Sequence, residues 1–139
     1  MVRVLTDHHY RGAKVLNSAF RVSDIITEGV SLTRLGMVDV VEFQAVAESI
    51  RLAAGANEVR GALALSAAEL RQLAWDDDGT RKLCLFDDPV QSVDGERDNA
   101  AHCMAVSPRA IDEADALEIR QQLLDVFTEA RYLHELWAA

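Results

Sequence analysis

Ala116, Ile119, Leu123, Val126, Ala130, Leu133 and Trp137 recur at steps of three and four residues, the spacing that gathers side chains on one face of an α-helix. A seam of that length has to be covered, so the chain is expected to end in a long amphipathic helix, entered near Pro108 and lying across a sheet. Leu124 and Phe127 widen the seam, while Glu118, Gln121, Gln122, Asp125, Glu129 and Glu135 leave the far face polar. A homodimer zipped along the same seam is the alternative use of it.

The middle of the chain carries further helix signals. Asp39 with Glu42 three residues on forms a capping pair, Phe43, Val46, Ala47, Ile50 and Ala54 keep helical spacing, and Gly55 supplies a stop. Ser66 with Glu69 repeats the capping pattern and opens a short helix expected to run to about Trp75, before the turn Asp76-Asp77-Asp78-Gly79. Val2 to Leu5, Val59 to Leu65, Lys82 to Phe86 and Ala100 to Ser107 read as strands, the last two as an antiparallel pair. Ala13 to Val22 reads as extended, and Asp24 to Thr33 as β structure with Gly29 at a turn or bulge. The expected fold is a single α+β domain over residues 1–139, with a mixed or antiparallel sheet of about four to six strands packed by the middle helix and the long C-terminal helix.

Charge narrows the function classes. The chain has a formal net charge of -9 and no basic patch, which argues against nucleic acid, because each phosphate contact needs a cation. No run approaches the roughly 18 to 20 apolar residues that span a bilayer, and Met1 to Asp7 lacks a signal peptide's apolar core. A cytoplasmic protein with no membrane association is expected, with Cys84 and Cys103 as reduced thiols.

Chemistry has few places to gather. His8, His9 and His102 with Asp7, Asp87 and Asp88 are the acid–base candidates, since a carboxylate can orient an imidazole as a base. The acidic turn-rich stretch from Asp87 to Asp98 separates two strands and returns at His102. Asp94, Glu96 and Asp98 alternate like the first acids of a calcium loop, but Asn99 stands where the tight-turn glycine belongs and Ala105 where the closing glutamate belongs. No metal is expected. Neither a serine nucleophile elbow nor a glycine-rich phosphate cradle is present.

Three resemblances attach to these segments. Leu65 to Leu70 followed by Leu83 to Asp94 is similar to the signature, Walker B and D-loop series of ABC-type and SMC-like ATPases, with Ala67 and Ala68 in place of the glycines and without the phosphate-binding loop needed to hold ATP. Tyr10-Arg11-Gly12 and Gly29-Val30-Ser31-Leu32-Thr33-Arg34 resemble the first two motif strands of ADP-ribosyltransferase-like and RES-type toxins. That resemblance implies a degenerate NAD-using site of Tyr10, Arg11, Ser31 and Arg34. Asn17-Ser18-Ala19-Phe20-Arg21, Gly29-Val30-Ser31 with Arg34, Asp87-Asp88-Pro89 and Asn99-Ala100-Ala101-His102 resemble a group of small bacterial proteins with no assigned activity. This last resemblance spans positions 8 to about 107 and implies a bacterial or phage origin and an α+β domain.

The leading expectation is a non-catalytic acidic protein-binding factor of the bacterial conflict or phage counter-defence type, resembling an immunity protein or inhibitor and using no cofactor. Asp87, Asp88, Asp94, Glu96 and Asp98 would steer a basic protein partner, and Trp75 would anchor it. The alternative is a small enzyme, built either on His102 with Asp87 or Asp88, or on the NAD-like set.

Overall fold

The computed structural model describes residues 1–91 and 98–137. Along the chain run β1 (Val2–Thr6), the hairpin β2 (Tyr10–Arg11) and β3 (Lys14–Val15), α1 (Val22–Ile26), β4 (Val30–Thr33), α2 (Val40–Ala53), β5 (Val59–Ala64), α3 (Ala67–Gln72), β6 (Cys84–Asp87), β7 (His102–Val106), α4 (Glu113–Val126) and β8 (Thr128–Ala130). The main sheet has six strands in the order β6-β7-β4-β1-β5-β8, with every neighbouring pair antiparallel. The α+β class and an antiparallel sheet are thus as expected.

Alternation along the strands divides the core between two faces. Leu5, Leu32, Leu63, Cys103 and Ala105 meet Ile25 of α1, Leu70 of α3 and Ala116, Ile119 and Leu123 of α4 on one side. Val2, Val4 and Ala62 meet Phe43 and Ala47 of α2 on the other. The capping boxes of α2 (Asp39 with Glu42) and α3 (Ser66 with Glu69) are formed, and Gly55 takes φ 62 after α2. α3 ends at Gln72, short of Trp75.

The C-terminal expectation needs correction. α4 is N-capped by Asp112, not entered at Pro108, and it stops at Val126. Phe127 leaves the helix to pack on Phe20, ring centroids 5.2 Å apart, and β8 then hydrogen-bonds to the edge of β5. Satisfying that open edge outweighs continued helix. A terminal 3-10 turn, Leu133–Trp137, follows, and Trp137 packs edge-on against Phe43 on the α2 face. The apparent single seam therefore serves both faces of the sheet. Ala116, Ile119 and Leu123 are absorbed by the chain's own core, so a second copy would have to use other surface.

Part of the stretch read as β is also corrected: Val22–Ile26 is a single helical turn. Between positions 13 and 22 a paired strand forms only at Lys14–Val15; Leu16, Phe20 and Arg21 are also extended, but a 3-10 turn, Asn17–Ala19, interrupts the run.

The centre of the sheet has a narrow junction. β1 and β4 share only the pair Val2↔Thr33, whereas β1 and β5 pair from Val2 to Thr6. The Arg3 guanidinium occupies the gap, donating from Nε to the Ala19 carbonyl at 3.1 Å and from Nη1 to the Ser31 carbonyl at 3.0 Å. Among the described residues no helix is long and apolar enough to cross a membrane.

Candidate functional site

Ser31 and His102 come together because β4 and β7 pair with Thr33 opposite His102 and Ser31 opposite Met104. Ser31 and His102 are thus diagonal neighbours on one sheet face, within reach of each other's side chains. It is the α2 face, since Val30, Leu32, Cys103 and Ala105 occupy the other.

The hydrogen bonds fix the histidine's orientation. His102 Nδ1 lies 2.6 Å from the Asp88 backbone carbonyl and 3.3 Å from Asp88 Oδ2. Neither oxygen can donate, so Nδ1 carries the proton. In the neutral ring Nε2 is then an acceptor, and the Ser31 hydroxyl donates to it across 2.6 Å. The imidazole is 13 % exposed, against 58 % for the Asp88 side chain. The arrangement joins a hydroxyl, a base and a group that holds the base in one tautomer.

Asp87 faces Arg34, whose Nη1 pairs with its carboxylate while Nη2 reaches the Ala100 carbonyl at 3.5 Å. Arg34 Nε is buried without a hydrogen-bond partner among the described residues. A cleft of about 600 Å³ runs beside these groups, bounded by Ser31, His102, Met104, Asp87, Asp88 and Glu28. Ser31 and His102 also line a smaller, more apolar cleft of about 170 Å³ with Val46, Ile50 and Ala53 of α2. Ser31 sits inside a strand, not on a strand-to-helix elbow, so a substrate would approach it along the sheet surface.

Of the residues singled out in the sequence, Ser31, Arg34, Asp87, Asp88 and His102 converge. Tyr10 and Arg11 do not join them. The Tyr10 hydroxyl donates to Glu129 at 3.0 Å, and burial followed by that carboxylate pushes its pKa up to about 12. Arg11 lies on the β2–β3 hairpin. The four-residue NAD-like set is therefore split. His8 and His9 form a 3-10 turn with Asp7, whose carboxylate accepts hydrogen bonds from Asn57 and Glu58.

Trp75 is corrected as a partner anchor: it is 5 % exposed, with the Arg109 guanidinium 4.0 Å over its ring. The large apolar side chain exposed beside the acids is Phe86, at 55 %. Asp94 and Glu96 lie outside the described residues; Asp98 and Asn99 border a separate cleft with Glu42 of α2. Cys84 and Cys103 are unbridged.

A cluster not anticipated from the sequence adjoins Ser31. Arg3, His9, Arg21 and Asp24 line a cleft of about 200 Å³ at the β1–β4 gap, together with Ser31 and Ile50. Burial first, then the charges of Arg3 and Arg21, pull the pKa of His9 down to about 4. Spacing offered no signal for this cluster, because it depends on where β1 and β4 separate. Arg21, Ser31, Asp88 and His102, distant along the chain, line this cleft and the adjoining one bounded by Asp88. Comparison with protein-family models, curated proteins and solved structures gives no match to this chain.

Proposed function

We propose that the protein is a small hydrolase in which Ser31 is the nucleophile and His102 the general base. One observation carries this reading: the continuous path Ser31 Oγ to His102 Nε2 and His102 Nδ1 to Asp88, with both short bonds at 2.6 Å. A serine hydroxyl is a weak nucleophile until a neighbouring base takes its proton, and the base works best when its other nitrogen is held.

For an ester the steps balance as follows. Ser31 Oγ bonds to the carbonyl carbon as its proton passes to Nε2; the carbon–oxygen bond to the leaving alcohol breaks, and that oxygen takes the proton back from Nε2. A water molecule, deprotonated by Nε2, then attacks the acyl carbon; the bond from that carbon to Ser31 Oγ breaks, Oγ takes the proton back from Nε2, and the acid leaves. Throughout, Asp88 keeps Nδ1–H in place and stabilises the transient imidazolium.

The test is labelling by a fluorophosphonate probe together with hydrolysis of p-nitrophenyl acetate. Wild-type protein is expected to label at Ser31, S31A to lose the label, and H102A to react about 10²- to 10⁴-fold more slowly. Absence of labelling, or equal labelling of S31A, would remove the proposal.

A second reading, an acidic protein-binding factor, is favoured by one feature: Phe86 and the 77 % exposed Asp87 stand together on β6, an edge strand. An exposed aromatic side chain beside carboxylates fits a partner with a basic rim. A basic protein retained by wild type, released by salt and not retained by F86S would support it; retention indifferent to salt and to F86S would dismiss it.

A further inference from the structure

We propose that the cleft lined by Arg3, His9 and Arg21 seats a phosphate group of the substrate, placing the bond to be cleaved at Ser31. The assignment of Ser31 as nucleophile rests on the reading above; the anion seat rests on its own geometry.

In a chain of net charge -9, two arginines share this cleft with a single carboxylate, Asp24. Among the described residues neither Arg3 nor Arg21 forms a salt bridge; those present involve Arg34, Arg51, Arg60, Lys82, His102 and Arg109. Arg3 is oriented by two backbone carbonyls, which neutralise no charge. Arg3 is half-buried and Arg21 exposed, and with one carboxylate between them the cleft keeps a surplus positive charge that a bound anion would balance. His9 adds a neutral donor: its Nδ1 accepts from the Thr6 backbone N–H at 3.0 Å, which leaves the ring proton on Nε2. Burial and the two guanidinium groups both disfavour its protonated form.

α2 ends beside the cleft, with the carbonyls of Ile50, Arg51 and Leu52 taken by the N–H groups of Ala54, Ala56 and Gly55. Two guanidinium groups and a neutral imidazole line one cleft, and the more highly charged phosphate gains more from two cations than a carboxylate does. On the opposite side of Ser31 lie Glu28, Asp87 and Asp88. The charge therefore changes sign across the nucleophile, and a substrate phosphorylated at one end with a neutral or cationic leaving group at the other matches it.

Binding of inorganic phosphate, measured by isothermal titration at constant ionic strength with acetate as the comparison anion, tests the seat without needing turnover. Phosphate is expected to bind wild type, and R21Q to bind it about tenfold more weakly or worse. Arg21 is exposed, so R21Q should fold, which a far-UV spectrum matching wild type would establish. No phosphate binding, unchanged binding in R21Q, or acetate binding as tight as phosphate would overturn the seat. Ser31 labelling in the same preparation separates that failure from a failure of the hydrolase reading.

Discussion

Lys82 is 1 % exposed and directs its ammonium to the carboxylate of Glu118 on α4, with Gln122 Oε1 at 2.8 Å as a second acceptor. The ammonium also lies 5.0 Å from the centre of the Trp75 ring. Removing the acid alone leaves a buried charge with one neutral acceptor. E118A is expected to lower stability by about 1–3 kcal/mol, while K82M, which keeps the volume and removes the charge, should stay within about 1 kcal/mol of wild type. Urea midpoints of the two variants check the contrast; equal losses would show that packing, not charge, governs the pair.

His9 sets a pH dependence of known sign. Its folded pKa of about 4 lies below the ordinary 6.5, so between those values the unfolded chain binds the proton that the folded one refuses. Its contribution is complete above pH 6.5 and is lost as the pH falls toward 4. H9Q, which preserves an acceptor for the Thr6 N–H, should show a flatter melting temperature between pH 7 and 5. Carboxylates act lower down: Thr80 holds Asp78, and Ser66 holds Glu69, below their usual values, so their stabilisation is present above the normal carboxylate range and disappears as the pH drops below it. An unchanged slope in H9Q would contradict the assignment.

Asp88 should matter less than the third member of an ordinary catalytic triad. The closer partner of His102 Nδ1 is its backbone carbonyl, which substitution leaves in place. D88A is expected to slow Ser31 labelling by less than about tenfold, against about 10²- to 10⁴-fold for H102A. Equal rates for D88A and H102A would mean that the carboxylate, not the carbonyl, orients the ring.

Gly29 leads directly into β4 at φ 97, and a Cβ there would stand 2.7 Å from both the Ala105 carbonyl oxygen and Val106 Cγ2. Relieving the contact requires β4, which carries Ser31, and β7, which carries His102, to shift relative to each other. G29A should cost about 2 kcal/mol or more and displace Ser31 from His102, whereas G12A, in open space at φ 61, should cost about 1 kcal/mol. Chemical denaturation of both variants, read alongside Ser31 labelling, checks this.

The readable parts of the fold are those whose cause is local. The capping boxes at Asp39 and Ser66, the alternation in Val59–Ala64 and the paired strands flanking the acidic loop all follow from neighbours along the chain. α1 was hidden because one turn is too short for periodicity, its apolar residues favour strands, and Arg21 makes no side-chain cap. The division of the C-terminal seam was hidden because the partner that ends α4 is the remote edge of β5. His102 with Asp88 was legible as a pairing of types, and Ser31 as a member of a motif. Their meeting depends on strand register, which composition does not encode. Trp75 misled because a tryptophan beside an acidic turn reads as exposed until Lys82 and Arg109 are found enclosing it.

The meagre ladder between β1 and β4 makes the molecule two three-stranded leaflets hinged along a line. Where a main-chain bond would ordinarily stitch the leaflets, a side chain from Arg3 spans the rift. Parting along that line breaks fewer backbone bonds than separating β1 from β5 or β4 from β7, so slight breathing of the leaflets would widen the approach to Ser31 while leaving its alignment with His102, on the same leaflet, undisturbed.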